Sequence, residues 1–91
     1  MSIKFYYTSI TSSSKLEGQQ RKIEQILTAR KVELEKIDIA SSEEDKIKMR
    51  ELIGDPKALA PQLFNGDQYC GNFEAFDDAV EGGTIDEFLK F

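Results

Sequence analysis

Pro61-Gln62-Leu63-Phe64-Asn65-Gly66-Asp67-Gln68-Tyr69-Cys70-Gly71 is the stretch that decides the fold. Asn-Gly between two short runs with apolar and aromatic members is the strongest local signal for a β-hairpin. Pro61 to Phe64 and Gln68 to Cys70 therefore read as an antiparallel strand pair turning at Asn65-Gly66. Toward the N-terminus, Gly54 and then Asp55-Pro56 stop a helix. Its start is marked by Ser41 and Glu44 at capping-box spacing, and its apolar side by Ile47, Met49, Leu52 and Ile53. Before it, Val32 to Ile39 alternates through Val32, Leu34, Ile37 and Ile39, with a change of phase near Lys36 that suggests a bulge or a strand end.

Further back, Ser14 and Glu17 form another capping-box pair, opening a helix over about Lys15 to Arg30. Leu16, Gln20, Ile23, Ile26 and Leu27 make its core-facing stripe. Ile3 to Thr8 is β-branched and aromatic with almost no polar break, the pattern of a strand covered on both faces. On the C-terminal side, Asn72 suits the cap of a helix that runs through Phe76 and Val80 and closes at Gly82-Gly83, and Thr84 with Glu87 opens a last short one. The order is β-α-β-α-β-β-α-α. A strand-helix-strand start demands a right-handed crossover between parallel strands, whereas the hairpin is antiparallel, so the sheet is mixed and four-stranded. These requirements suit an α/β, thioredoxin-like fold with helices on both faces of the sheet.

Composition narrows the function. With 91 residues, 40% hydrophobic and 32% charged, the chain is expected to be one globular domain with a packed core. A formal net charge of -5 without a basic run opposes phosphate backbones and anionic lipid, so neither nucleic acid nor membrane is expected as a partner. No stretch has the apolar length of a spanning helix, and Met1 to Thr8 is too short and polar for a signal peptide. One cysteine, Cys70, permits no internal disulfide, and the absence of histidine removes the commonest metal ligand and general base. The expectation is a cytoplasmic protein, small enough to be nuclear as well, monomeric, with no cofactor and no metal.

The opening Phe5-Tyr6-Tyr7-Thr8-Ser9-Ile10-Thr11, the segment Gly54 to Glu81 and the closing Thr84 to Phe91 resemble the Src-homology-3-domain-binding glutamic-acid-rich-like proteins, a glutaredoxin-like family. The resemblance covers nearly the whole chain, and Pro61 to Gly71 is its specific part. It implies a single glutaredoxin-like domain over residues 1–91, with Pro61 as the cis-proline of the fold. It also implies a vestigial glutathione or partner face at Ser12, Ala60, Pro61, Cys70, Gly71 and Asn72. There Ala60 would offer backbone to an extended ligand, and Gly71-Asn72 would offer helix N-terminal amides to a carboxylate. Ser9 occupies the position where many glutaredoxins carry a lysine, which weakens any glutathione site.

A glutaredoxin needs a thiolate where the first strand turns into the first helix, since the helix N-terminus lowers the thiol pKa. This chain has Thr11, Ser12, Ser13 and Ser14 there, and an alcohol neither ionises near neutral pH nor exchanges disulfides. Without histidine or a Gly-x-Ser-x-Gly elbow, the serines read as a polar loop and helix cap rather than a hydrolase site. Cys70 is either a half-buried small apolar residue at a strand end or a redox-sensitive thiol open to glutathionylation. Proline-rich recognition by Src-homology-3 domains requires PxxP, whereas Pro56 and Pro61 are separated by Lys-Ala-Leu-Ala. The acidic groups Glu43-Glu44-Asp45 and Glu74, Asp77, Asp78, Glu81 read as solvated helix faces, the second also suited to a basic partner. Tyr6, Tyr7, Tyr69 and Phe73 suit either a groove near Pro61 or the core, and strand aromatics in a small protein favour core. The leading expectation is a non-catalytic adaptor or modulator that binds protein partners. The alternative is a redox-responsive protein that binds glutathione weakly or is glutathionylated at Cys70.

Overall fold

The computed structural model describes residues 2–11 and 13–91. The central strand β1, Ile3–Tyr7, runs parallel to β2, Leu34–Asp38, and antiparallel to β3, Gln62–Asn65. β3 pairs in turn with β4, Gln68–Asn72, giving a mixed four-stranded sheet of order β2-β1-β3-β4. The helices are α1 (Ser14–Ala29), α2 (Glu43–Ile53), α3 (Phe73–Gly82) and α4 (Ile85–Phe88). The expected element order and the thioredoxin-like architecture are both present.

Strand alternation divides the core in two. Ile3, Phe5 and Leu63 point to one face, where Ile23 and Leu27 of α1, Phe76 and Ala79 of α3, Ile85 and Leu89 cover them. Tyr6 and Phe64 point to the other, against Met49 of α2, Ile39 and Ala58. This two-sided cover explains the unbroken apolar run of β1. It also corrects the reading of β2. Its pairing with β1 runs without a shift from Ile3↔Leu34 to Tyr7↔Asp38, and the change of phase arises because Val32 and Leu34 pack on one core while Ile37 and Ile39 pack on the other.

The bulge lies elsewhere. Leu63 pairs with Gly71 and Phe64 with Tyr69, which leaves Cys70 as the extra residue of β4. The hairpin turns on Gly66-Asp67, between the paired Asn65 and Gln68, rather than on Asn65-Gly66. Gly66 takes φ 63° at the first central position, which a two-residue hairpin reserves for glycine. Asn65 instead serves the C-terminus, its amide donating to the carbonyls of Leu89 at 2.9 Å and Lys90 at 3.3 Å.

Three caps also differ from their expected positions or roles. Ser13, not Ser14, caps α1 and accepts from the Leu16 amide, and Ser42, not Ser41, caps α2 and accepts from that of Asp45. Glu17 consequently pairs with Arg21 one turn on instead of closing a capping box. Thr84 makes no side-chain cap bond at α4. Asn72 caps α3 as expected, and Gly54 and Gly83 end α2 and α3 in the left-handed conformation. Ile47, placed on the inner side of α2 by its spacing, is 48% exposed; Met49 is the side chain that α2 buries fully.

Candidate functional site

At the C-terminal end of β1, three loops meet: the β1–α1 loop, the segment before β3, and the β4–α3 junction. Each is held by buried or capping polar groups. Gln20, buried on α1, treats Thr8 as a strand partner: its side-chain amide donates to the Thr8 carbonyl at 3.0 Å and its oxygen accepts from the Thr8 amide at 2.9 Å. Asp38 at the end of β2 accepts from the amides of Ser9 and Ala40 and from the Ser41 hydroxyl. Bonding from the Ser9 side chain, together with these backbone and hydroxyl donors, outweighs the opposing cost of burial and holds the Asp38 carboxyl down at about 2.

The segment before β3 is fixed from the opposite side. Arg50 of α2 donates from Nε to the Ala58 carbonyl at 3.0 Å, and buried Gln62 donates to the Leu59 carbonyl at 2.7 Å. The Tyr69 hydroxyl donates to Gln62 Oε1 at 2.6 Å, completing the chain of bonds. Burial of Tyr69 raises its pKa, with Asp55 and Cys70 nearby adding to the shift, so it remains a donor at neutral pH. The Ala60–Pro61 peptide is cis, and Pro61 is buried. Leu59, between the anchored Ala58 and Ala60, is left 68% exposed.

A cleft of about 380 Å³ opens beside this loop, walled by Ala60, Pro61, Gln62, Tyr69, Asn72 and Phe73. Of the six residues expected to form one face, it therefore gathers Ala60, Pro61 and Asn72. Ser12 lies outside the described residues. Gly71 is buried on the strand with φ 153°, where an added Cβ would lie 2.8 Å from the Phe88 ring and 2.9 Å from the Ala75 Cβ. Its role in the fold is close packing between β4, α3 and α4.

Cys70 is not among the residues lining the cleft either. As the bulge residue it packs with the α1–α3–α4 core, opposite in sense to its neighbour Tyr69, which packs with the α2 core. Burial pushes its thiol pKa up, opposed by Lys90 and a bond from the Asn65 backbone. That is the reverse of the shift a reactive thiol needs. Of the four aromatics considered for the groove, Tyr69 and Phe73 line it, while Tyr6 is buried in the α2 core. Tyr7 borders a larger groove of about 920 Å³ between α1 and β2, where Lys36 sits over its ring and pairs with Glu24.

The charge of the cleft differs from what a ligand with two carboxylates wants. Lys57 is its one cation, set against Asp55 and Glu74, and Glu74 occupies the first turn of α3. Asn72 uses its own side chain on the Ala75 amide, taking one of the donors that an incoming carboxylate would use. Ser9 spends its amide on Asp38 and contributes nothing to the lining. Among the described residues no cluster of three or more His, Cys, Asp or Glu could hold a metal, and no helix is long and apolar enough to cross a membrane.

Fold and cleft together define a glutaredoxin-like protein of the thioredoxin fold. A family model described as SH3-binding, glutamic acid-rich protein matches residues 1–91, and the chain belongs to that family. An SH3 domain-binding glutamic acid-rich protein homolog of Drosophila melanogaster is 31% identical over 102 residues, covering 99% of this chain and 65% of the relative. The chain thus spans slightly less than two thirds of that relative's length. Two solved structures share the fold at low identity. The C. albicans actin interacting protein Aip5 matches with TM-score 0.77 and 20% identity, over 97% of this chain and 87% of that one. A buckwheat glutaredoxin–glutathione complex matches with TM-score 0.70 and 13% identity, over 97% and 76%.

Leu59, Gln62, Gln20 and Asp38 carry the site's shape without having been assigned to it from the sequence. Leu59 falls in a loop, where no periodicity flags an apolar residue. Gln20 belongs to the core-facing stripe of α1 by its spacing and Asp38 carries no signal of its own in the sequence, because their partners are set by the sheet, at sequence separations of 12 and 29 residues.

Proposed function

We propose that this chain is a non-catalytic glutaredoxin-like module that binds a partner protein through the face formed by Ala60, Pro61 and Asn72 with the exposed Leu59. One observation carries the reading. The turn that would need a thiolate holds Thr11, Ser12, Ser13 and Ser14, while the only thiol, Cys70, is half-buried against the α1–α3–α4 core with its pKa raised. What remains is a preformed cleft beside an outward-facing apolar side chain, suited to recognition rather than exchange. The SH3-binding description of the family, and the actin-interacting description of a neighbour with the same fold, fit a domain that works by binding proteins. A PxxP ligand for an SH3 domain has no support in this stretch, since Pro61 is buried and the spacing from Pro56 is wrong.

Two measurements test the reading. In a mixed-disulfide reduction assay, wild type and Cys70→Ser are expected to be equally inactive, and turnover by wild type that Cys70→Ser abolishes would overturn the non-catalytic part. Reduced glutathione titrated to millimolar concentration into nitrogen-15-labelled protein is expected to give no saturable shifts at Ala60, Gly71 or Asn72. Saturable shifts confined to those amides would make glutathione, not a protein, the ligand of the cleft.

A further inference from the structure

Among the described residues, the large apolar side chains held most exposed are Ile10 at 75% and Leu59 at 68%. Both line one groove of about 450 Å³, whose walls also include Leu16, Ile39, Lys46 and Arg50. Side chains of this size left in water forgo the stabilisation that burial would bring. The exposure is built in, because Thr8 Oγ1 bonds both the amide and the carbonyl of Ile10, Asp38 holds Ser9, and Gln62 holds the Leu59 carbonyl.

The groove is also electrostatically distinct. Lys46 and Arg50 are its two charged residues, with no acid in the lining, on a chain whose formal net charge is -5. Arg50 commits Nε to the Ala58 carbonyl and enters no ion pair among the described residues, and the Lys46 contact to Glu43 is a long 3.6 Å. Leu59 and Ala60 belong to this groove and to the cis-proline cleft alike, so the two are continuous.

We infer that this groove docks an acidic, apolar segment of a partner protein. An Asp or Glu of the segment reaches Lys46 and Arg50, and a neighbouring large aliphatic or aromatic side chain packs against Ile10 and Leu59. The surrounding negative charge repels an acidic segment everywhere else, which fixes its register at the two cations. The inference rests on the partner-binding reading above and adds the chemistry of the partner.

Selection from a phage-displayed random peptide library, followed by titration of the synthetic consensus peptide into nitrogen-15-labelled protein, tests it. The expected consensus sets Asp or Glu next to Leu, Ile, Phe or Trp and shifts Ile10, Lys46, Arg50 and Leu59. Leu59→Ser and Lys46→Glu, both surface changes, should each weaken binding about tenfold or more. A basic or proline-rich consensus, or binding indifferent to both variants, overturns the inference. Peptides that shift Asn72 and Phe73 but neither Lys46 nor Leu59 overturn it while leaving the partner-binding reading intact. If no peptide shifts either set, both fall.

Discussion

Single residues set the tolerances of this fold. Gly71 has a backbone that L side chains rarely adopt and no room for a methyl group between Phe88 and Ala75. Gly71→Ala is therefore expected to cost roughly 2 kcal/mol or more, from strain and overpacking together, in urea unfolding; a change within a few tenths would contradict the packing role. Asp38 ties the stability of the β1–α1 loop to pH. Its folded value of about 2 lies below the ordinary 3.8, so its contribution is fully present above the ordinary value and disappears as pH falls through the folded one. Denaturation midpoints measured from pH 5 to about 2 should fall less steeply in Asp38→Ala than in wild type. Parallel acid limbs would show that the bonds to Ser9, Ala40 and Ser41 are not linked to folding. Cys70 illustrates how position on a strand outweighs position in a motif: the family resemblance implies a place on the cleft face, and as the bulge residue it packs against the α1–α3–α4 core instead.

Two glutamines join elements at the scale above. Gln20 clips α1 to the end of β1, and Gln62 links the pre-β3 loop to Tyr69 on β4. Gln62→Leu keeps the volume but strands the Tyr69 hydroxyl and the Leu59 carbonyl, so a loss of about 1–3 kcal/mol is expected, with faster amide exchange around Leu59. Unchanged exchange there would mean the loop is held by packing alone. Asn65→Ala should release the Leu89 and Lys90 carbonyls and speed exchange at Lys90 and Phe91, at a cost of about 1 kcal/mol. The elements themselves were largely legible from the sequence, because periodicity, caps and glycine stops are local. Ile3 to Thr8, the hairpin and the Asn72-capped helix are close to their expected places. Two of the misreadings share a cause. The phase of β2 and the turn at Gly66-Asp67 each depend on what lies across the sheet, such as the C-terminal carbonyls that claim Asn65, whereas the cap of α1 moved by one residue within a run of serines. The site was legible only in outline: the cap of α3 is visible in sequence and the cis-proline is implied by the family resemblance, whereas an exposed Leu59 held by Gln62 requires the fold.

For the whole molecule, one end of the sheet carries the features that need a function. The β1–α1 loop, the cis-proline loop and the cap of α3 gather there, with an apolar groove and an adjoining cleft, in a fold shared with a glutathione-binding glutaredoxin. The hairpin at Gly66-Asp67 lies at the opposite end of β3. Site-specific photocrosslinking compares the two ends directly, with benzoylphenylalanine placed at Asn72 or at Asp67 in the full chain and the adducts formed in cells resolved by mass spectrometry. Discrete protein adducts from the Asn72 position, lost when Leu59→Ser is added and absent from the Asp67 position, are the predicted result. Equal adducts from both positions, or none from Asn72, would contradict the claim that this face binds a partner.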